Sequence, residues 1–501
     1  MMVPSGRFRS WPALLPLMLL LLLVAGCAGW RPVRDVELEQ PPGEFQSELP
    51  ADLAGVETDR WWKAFDDPTL DALIDSAFHH NLTFAQMLAR HQQARASLNI
   101  ARGSWFPGVN GSASYQEQGY LEGEGTNPFA GGNYNPAAQF AIEELWNVGL
   151  TATYELDLWG KYHANRQGAL ATFRASEEDL RAYTLSLSAL VSRAWYGAVT
   201  LRRQQQLIDS TLTTYSNNLK LIEERYMRGV ATSSDLYQAR TTLAGARADA
   251  ETNSAQLASA EHALSILMAD YPRTGWTDGN FTLPSEVPDV APALPSELVQ
   301  RRPDVRAEYQ RLVAADRAAA EAVAGLFPSF SLTGQLSGRS VELQDALDPK
   351  SIVWSGIGSV SVPIFNGGKL WNASRAAEAG WKAQVAAYKM AVLTAFQEVE
   401  DALVNNARLE EALRHRQDQA NAARASLRVA TDNYLRGVTN YLPVTIAQSA
   451  YIGAERAMIQ ARYSLLDARI SLATALGASW MDDVLASVEL NGDGDLIEVT
   501  E

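Results

Sequence analysis

YMRGVATSSDLYQA (Tyr226–Ala239) and YLRGVTNYLPVTIA (Tyr434–Ala447) carry the same pattern, Tyr-x-Arg-Gly-Val, 208 residues apart. Each stands between two runs patterned as long helices. Gly229 and Gly437 suit the left-handed residue that closes a helix C-terminus. Arg228 and Arg436 stand where a cation meets the negative end of a helix dipole. Thr232 and Asp235 are spaced as a capping box for the helix that follows. Helix closure accounts for the glycines. It does not require Arg and Val to recur with them.

The repeat extends outward from the turns. At the same offset, Gly160 and Lys161 of YELDLWGK (Tyr154–Lys161) fall on Gly368 and Lys369 of VPIFNGGK (Val362–Lys369), and Leu243, Leu257 and Leu264 on Tyr451, Leu465 and Leu472. Upstream the offset becomes 221, where ARGSWFP (Ala101–Pro107) meets AVAGLFP (Ala322–Pro328), so the first copy holds 13 extra residues between Pro107 and Lys161. Two copies are too few for a solenoid, which needs three or more. The chain is a duplication of one unit: helix, strand, strand, long helix, helix.

No proline interrupts Lys161–Tyr271 or Ile364–Leu442. The long helices are expected at about 161–228 and 367–436, each about 100 Å at ~1.5 Å per residue, and the helices that follow at about 232–269 and 441–476. Leu409, Leu413, Ala420, Ala423, Leu427, Ala430 and Tyr434 form a coiled-coil-like stripe with small residues in it. The strands are expected at about 108–118, 149–158, 329–338 and 353–363. Leu150, Ala152, Tyr154, Leu156 and Leu158 alternate with Thr151, Thr153, Glu155 and Asp157, and Phe330, Leu332, Gly334 and Leu336 with Ser331, Thr333, Gln335 and Ser337. Ile357 breaks the polar face. Short strands that alternate in this way are the signature of an outer-membrane barrel, although one face of a soluble sheet reads the same. Four strands do not close around a lumen, and unpaired backbone is not tolerated in lipid, so a barrel here requires several chains.

The N-terminus belongs to export. Arg7 and Arg9 precede the apolar run WPALLPLMLLLLLVAG (Trp11–Gly26), which reads as a signal peptide over residues 1–26. Cys27 is the only cysteine of the 501 residues, so no internal disulfide is available. LVAGC resembles the bacterial lipobox, which implies a diacylglycerol on the Cys27 thiol and an acyl chain on its amine. Residues 27–58 then form a lipidated, extended arm. Ala28 stands where an inner-membrane retention signal has aspartate, which implies sorting to the outer membrane. The net charge of −16 opposes nucleic-acid binding. Six scattered histidines (His79, His80, His91, His163, His262, His415) form no recognisable metal-ligand motif with Cys or carboxylates, and no nucleophile or phosphate-loop motif occurs. No enzyme and no resident cofactor are expected.

Three stretches then carry a resemblance: DRWWKAFDDPTLDALI (Asp59–Ile74), LPSELVQRRPDVRAEYQRL (Leu294–Leu312) and the two Tyr-x-Arg-Gly-Val turns. They resemble the outer-membrane efflux proteins of the TolC and OprM kind, in the NodT-type lipoprotein branch, over roughly residues 55 to 480. The resemblance implies a mainly α fold with a membrane β-barrel portion. It implies a homotrimer with a 12-stranded β-barrel and a 12-helix periplasmic α-barrel. It also implies an exit duct for a tripartite multidrug efflux pump, with a periplasmic adaptor and an inner-membrane transporter of the RND type. Repeats at 59–270 and 296–480, a linker at 271–295 and an acidic, disordered tail at 481–501 follow. So do a longer external loop at Gly119–Gln139 and a shorter one at Gly338–Lys350.

By the same resemblance Arg228, Gly229, Val230, Arg436, Gly437 and Val438 dock the adaptor. Asp235, Tyr434 and Thr439 align with the family's inter-helix latch, with Thr439 in place of an arginine. Pro443 and Ile446 stand where the family has a pair of gating aspartates, so closure rests on other groups. Trp61 and Trp62 are expected to pack rather than to bind a ligand, and Asp67-Pro68 to open the first helix. Metal-cation efflux, type I protein secretion and a non-conducting coiled-coil spacer remain as alternatives. Glu155 and Asp157 on a lumen face hint at cations. The exported substrate cannot be read from this chain.

Overall fold

Alternation becomes a sheet. A computed structural model describes residues 31–36, 60–122, 139–279, 281–284, 301–477 and 481. Cys27, most of the extended arm, the centre of the longer external loop, residues 285–295 of the linker, residues 296–300 of the second repeat and the tail beyond 481 lie outside the described residues. In chain order the elements are α1 (Pro68–His80), α2 (Leu82–Gly103), β1 (Gly108–Glu122), β2 (Gln139–Leu156), α3 (Lys161–Met227), α4 (Ser233–Leu267), α5 (Pro303–Ala324), β3 (Ser329–Ser340), the one-turn α6 (Leu343–Ala346), β4 (Ile352–Ser361), α7 (Lys369–Leu435) and α8 (Leu442–Ala475). The chain divides into two units. One takes residues 94–173 and 311–385 with the described residues 31–36. The other takes the described residues of 60–93, 174–310 and 386–481.

The first unit holds a four-stranded antiparallel sheet in the order β1-β2-β3-β4. Its register makes the apolar residues continuous: Val109 faces Ala152, Leu150 faces Leu336, Tyr154 faces Leu332, and Leu336 faces Trp354. On the other face Asn110, Thr151, Gln335 and Ser355 line up, and Ser331 and Ser359 share a hydrogen bond of 2.7 Å. Ile357 pairs with Thr333 on that polar face. Val109, Leu150, Leu332, Leu336, Trp354 and Val360 are all exposed. Among the described residues, β1 pairs only with β2, and β4 only with β3.

One expectation changes here. β1 and β2 run further than their alternation predicted, to Glu122 and back to Gln139. Glu144 falls on the apolar side and Leu145 on the polar side, so the two-residue period fades above Gly149 while the pairing continues. The acids on the presumed lumen face have local partners. Glu155 accepts from the Tyr162 hydroxyl at 2.9 Å and from Lys161 at 3.3 Å, and Asp157 accepts from the His163 backbone N–H at 2.8 Å. Asp157 thus caps the first turn of α3, and Glu155 is held by two side chains of the same turn.

The second unit is helical. Asp67 opens α1 by accepting from Thr69 and Leu70 N–H at 3.0 and 3.2 Å, and its other oxygen takes the Trp195 indole N–H at 2.8 Å. Asn81 separates α1 from α2: its oxygen accepts from Phe84 N–H and its amide donates to the Leu267 carbonyl, both at 2.9 Å. Trp61 and Trp62 meet edge to face at 5.8 Å and are buried in one core with Trp195, Tyr196, Leu466 and Ile470. The start of the expected linker is held down. Glu261, buried in α4, accepts from Gly275 N–H (2.8 Å), Thr277 N–H (3.1 Å) and the Thr277 hydroxyl (2.5 Å). Burial would push this carboxyl up, but those donors and Arg202 outweigh it and hold it below its ordinary range. In the string LPSELVQRRPDVRAE, Arg302 joins Asp304 and Glu398, each at 2.6 Å, and reaches the Ala475 carbonyl at 3.3 Å. That one guanidinium ties the entry to α5 to α7 and α8.

Candidate functional site

Both Tyr-x-Arg-Gly-Val stretches fold into the same helix-closing turn. After α3, Val230 N–H donates to the Arg225 carbonyl and Gly229 N–H to the Tyr226 carbonyl, both at 2.9 Å. After α7, Val438 N–H donates to Asn433 at 2.9 Å and Gly437 N–H to Tyr434 at 3.0 Å. These are the paired six-to-one and five-to-two bonds of a Schellman motif, with glycine as the left-handed residue. Gly229 has φ +72° and Gly437 φ +75°.

The motif explains the glycine and leaves the rest open. A Schellman turn commonly buries the residue after the glycine against the last helical turn. Here Val230 is 65% exposed and Val438 70% exposed, beside exposed Arg228 and Arg436. Each turn therefore presents an arginine and a valine outward.

The two turns belong to one cluster. Ile222 of α3, Leu236 and Ala239 of α4, Tyr434 of α7, Tyr441 and Val444 are buried together. The Tyr434 and Tyr441 rings meet edge to face at 5.3 Å, and the Arg225 guanidinium stacks over Tyr434 at 4.7 Å. Burial pushes the Tyr441 phenol up, so it stays neutral. The sequence singled out Tyr434; Arg225 and Tyr441 were missed, because nothing local marks a contact across 200 residues.

Beyond the turns the two copies diverge. Thr232 and Asp235 form a complete capping box. Asp235 N–H donates to the Thr232 hydroxyl oxygen (3.2 Å), and the Asp235 carboxylate accepts from Thr232 N–H (3.0 Å) and from its hydroxyl (2.8 Å). Asp235 thus has a task within its own helix. At the matching place in the second copy Pro443 has no such carboxylate, and α8 starts without a side-chain cap. Thr439 and Pro443 are exposed. Leu442 (53% exposed) and Ile446 (61% exposed) stand four residues apart on one face of α8.

A pair of long helices closed by matching turns, with a four-stranded sheet at their starts, occurs in known proteins. The family model described as outer membrane efflux protein matches residues 73–269 and 294–478. The chain belongs to the outer membrane efflux protein family. Among its relatives, the outer membrane protein OprJ of Pseudomonas aeruginosa is 33% identical over 429 residues, 85% of this chain and 88% of that protein. The probable outer membrane lipoprotein SilC of Salmonella typhimurium is 27% identical over 92% of this chain and 98% of its own. Among solved structures, the open state of the Neisseria gonorrhoeae MtrE outer membrane channel superposes with a TM-score of 0.75 at 27% identity, covering 90% of this chain and 99% of that one. The family match covers both copies of the repeat.

Proposed function

We propose that this efflux-family chain is the outer-membrane exit duct of a tripartite pump, passively conducting what an inner-membrane transporter of the RND type expels through a periplasmic adaptor. The observation that carries this reading is the sheet. Its apolar face is exposed, and β1 and β4 each have an edge unpaired among the described residues. Water does not favour such a face, and lipid does not accept such edges. Because the strands alternate in direction, β4 of one chain would run antiparallel to β1 of the next. Three chains of four strands would close a twelve-stranded barrel, and the paired long helices would form the twelve-helix tunnel below it.

The exposed Arg–Val pairs support the turns as adaptor-docking points. Closure of the tunnel would rest on Leu442 and Ile446, an apolar constriction that gates by dewetting, with Pro443 in place of an acid. Asp235, Tyr434 and Thr439 would steady the turns rather than form an ion-pair latch. Cys27 would carry the lipid.

Planar-bilayer recording tests the core of the reading. The purified protein should give discrete conductance steps, and cross-linking in mild detergent should stop at three chains. An intact protein that never conducts would favour the coiled-coil spacer. A monomer that conducts would refute the shared barrel.

A further inference from the structure

Asp316 sits in the middle of α5 and is fully buried, at 0% exposure. A carboxylate there needs countercharge. Its own helix supplies little: the Arg317 guanidinium approaches only to 3.5 Å. The rest comes from the far N-terminus. Arg31 Nη2 lies 2.9 Å and Arg34 Nε 2.6 Å from Asp316 Oδ1. Arg34 also meets Glu378 at 2.9 Å and lies flat over the Trp381 ring at 3.5 Å. Arg317 donates to the Arg31 carbonyl at 2.6 Å, so the backbone of the segment is held as well as its side chains.

We propose that residues 31–36 are a strap whose docking on Asp316 completes the sheet-bearing unit. Three residues stand between Cys27 and Arg31, so a clamped Arg31 keeps Cys27 within a reach of about 14 Å. The lipid on Cys27 belongs to the function proposed above; the clamp on Asp316 stands without it.

The test labels Asp35→Cys with a nitroxide in the full-length protein purified in detergent. Label on Cys27 of the parent chain would show that residue unlipidated, which separates failure of that reading from failure of the clamp. With the strap docked, the label at 35 should be immobile. Arg31→Ala with Arg34→Ala should free the label and lower the melting point by about 5 °C or more, since a buried carboxylate loses its partners. Adding Asp316→Asn should restore the melting point and leave the label mobile. If the double variant does not fold, Arg31→Gln alone should still loosen the label. A double variant as stable and as immobile as the parent would overturn the proposal. So would a triple variant no more stable than the double.

Discussion

Gly437→Val isolates what the turns do. At φ +75° a residue with a side chain is strained wherever it stands, by about 1–2 kcal/mol and more for a β-branched one. Nothing lies within 4 Å of the position its Cβ would take, so no steric clash adds to the cost. The strain can be relieved by opening the turn, which forfeits the bonds from Val438 to Asn433 and from Gly437 to Tyr434, each worth about 0.5–1.5 kcal/mol net. Strain of about 1–2 kcal/mol shifts the balance toward opened turns by a factor of about 5–30. Gly437→Asn is the control, because asparagine enters the left-handed region cheaply. Complementation of efflux-deficient cells is the assay, with the amount of heat-resistant oligomer on unheated gels measured alongside. The valine variant should lose drug resistance and keep its oligomer, and the asparagine variant should keep both. Full resistance with valine would refute the need for this turn geometry. Equal loss with both would show that the backbone angle is not the cause.

Arg436→Asp should abolish efflux and adaptor capture with little effect on oligomer yield, since an exposed charge at a helix end is worth only about 0.3–1 kcal/mol; capture and resistance at parental level would reduce the turn to a helix cap. Leu442→Ala with Ile446→Ala should raise the current of the closed channel in bilayers by widening the apolar constriction, and an unchanged closed current would place the gate elsewhere. Glu261 has a depressed pKa, so its stabilisation is present above its ordinary value near 4.5 and is lost as pH falls through the lower folded value. The parent melting point should therefore drop more steeply below pH 4.5 than that of Glu261→Gln, and parallel curves would contradict the assignment. Cys27→Ser should block acylation and cleavage at that site; mass spectrometry that finds another mature N-terminus in the parent chain would end the lipid reading.

Some of this architecture is written locally. Only glycine closes a helix through a left-handed residue without strain, so Gly229 and Gly437 mark both turns before any coordinates. Prolines break helices, so the spans without them admit long helices, and the repeated turns end α3 and α7 within one residue of the expected positions. The duplication is visible because matching positions repeat at a constant offset of 208, which becomes 221 upstream of the 13 extra residues. Other features are decided by neighbours distant in sequence. β2 continues to Gln139 because β1 pairs with it, even where its own alternation fades. Tyr434 and Ile222 meet across the two copies, and buried Asp316 takes its countercharge from arginines more than 280 residues earlier. Backbone preference acts over a few residues and so leaves a trace in the order of amino acids. Burial and charge compensation act on whatever the fold brings together, and their partners leave no local pattern to read.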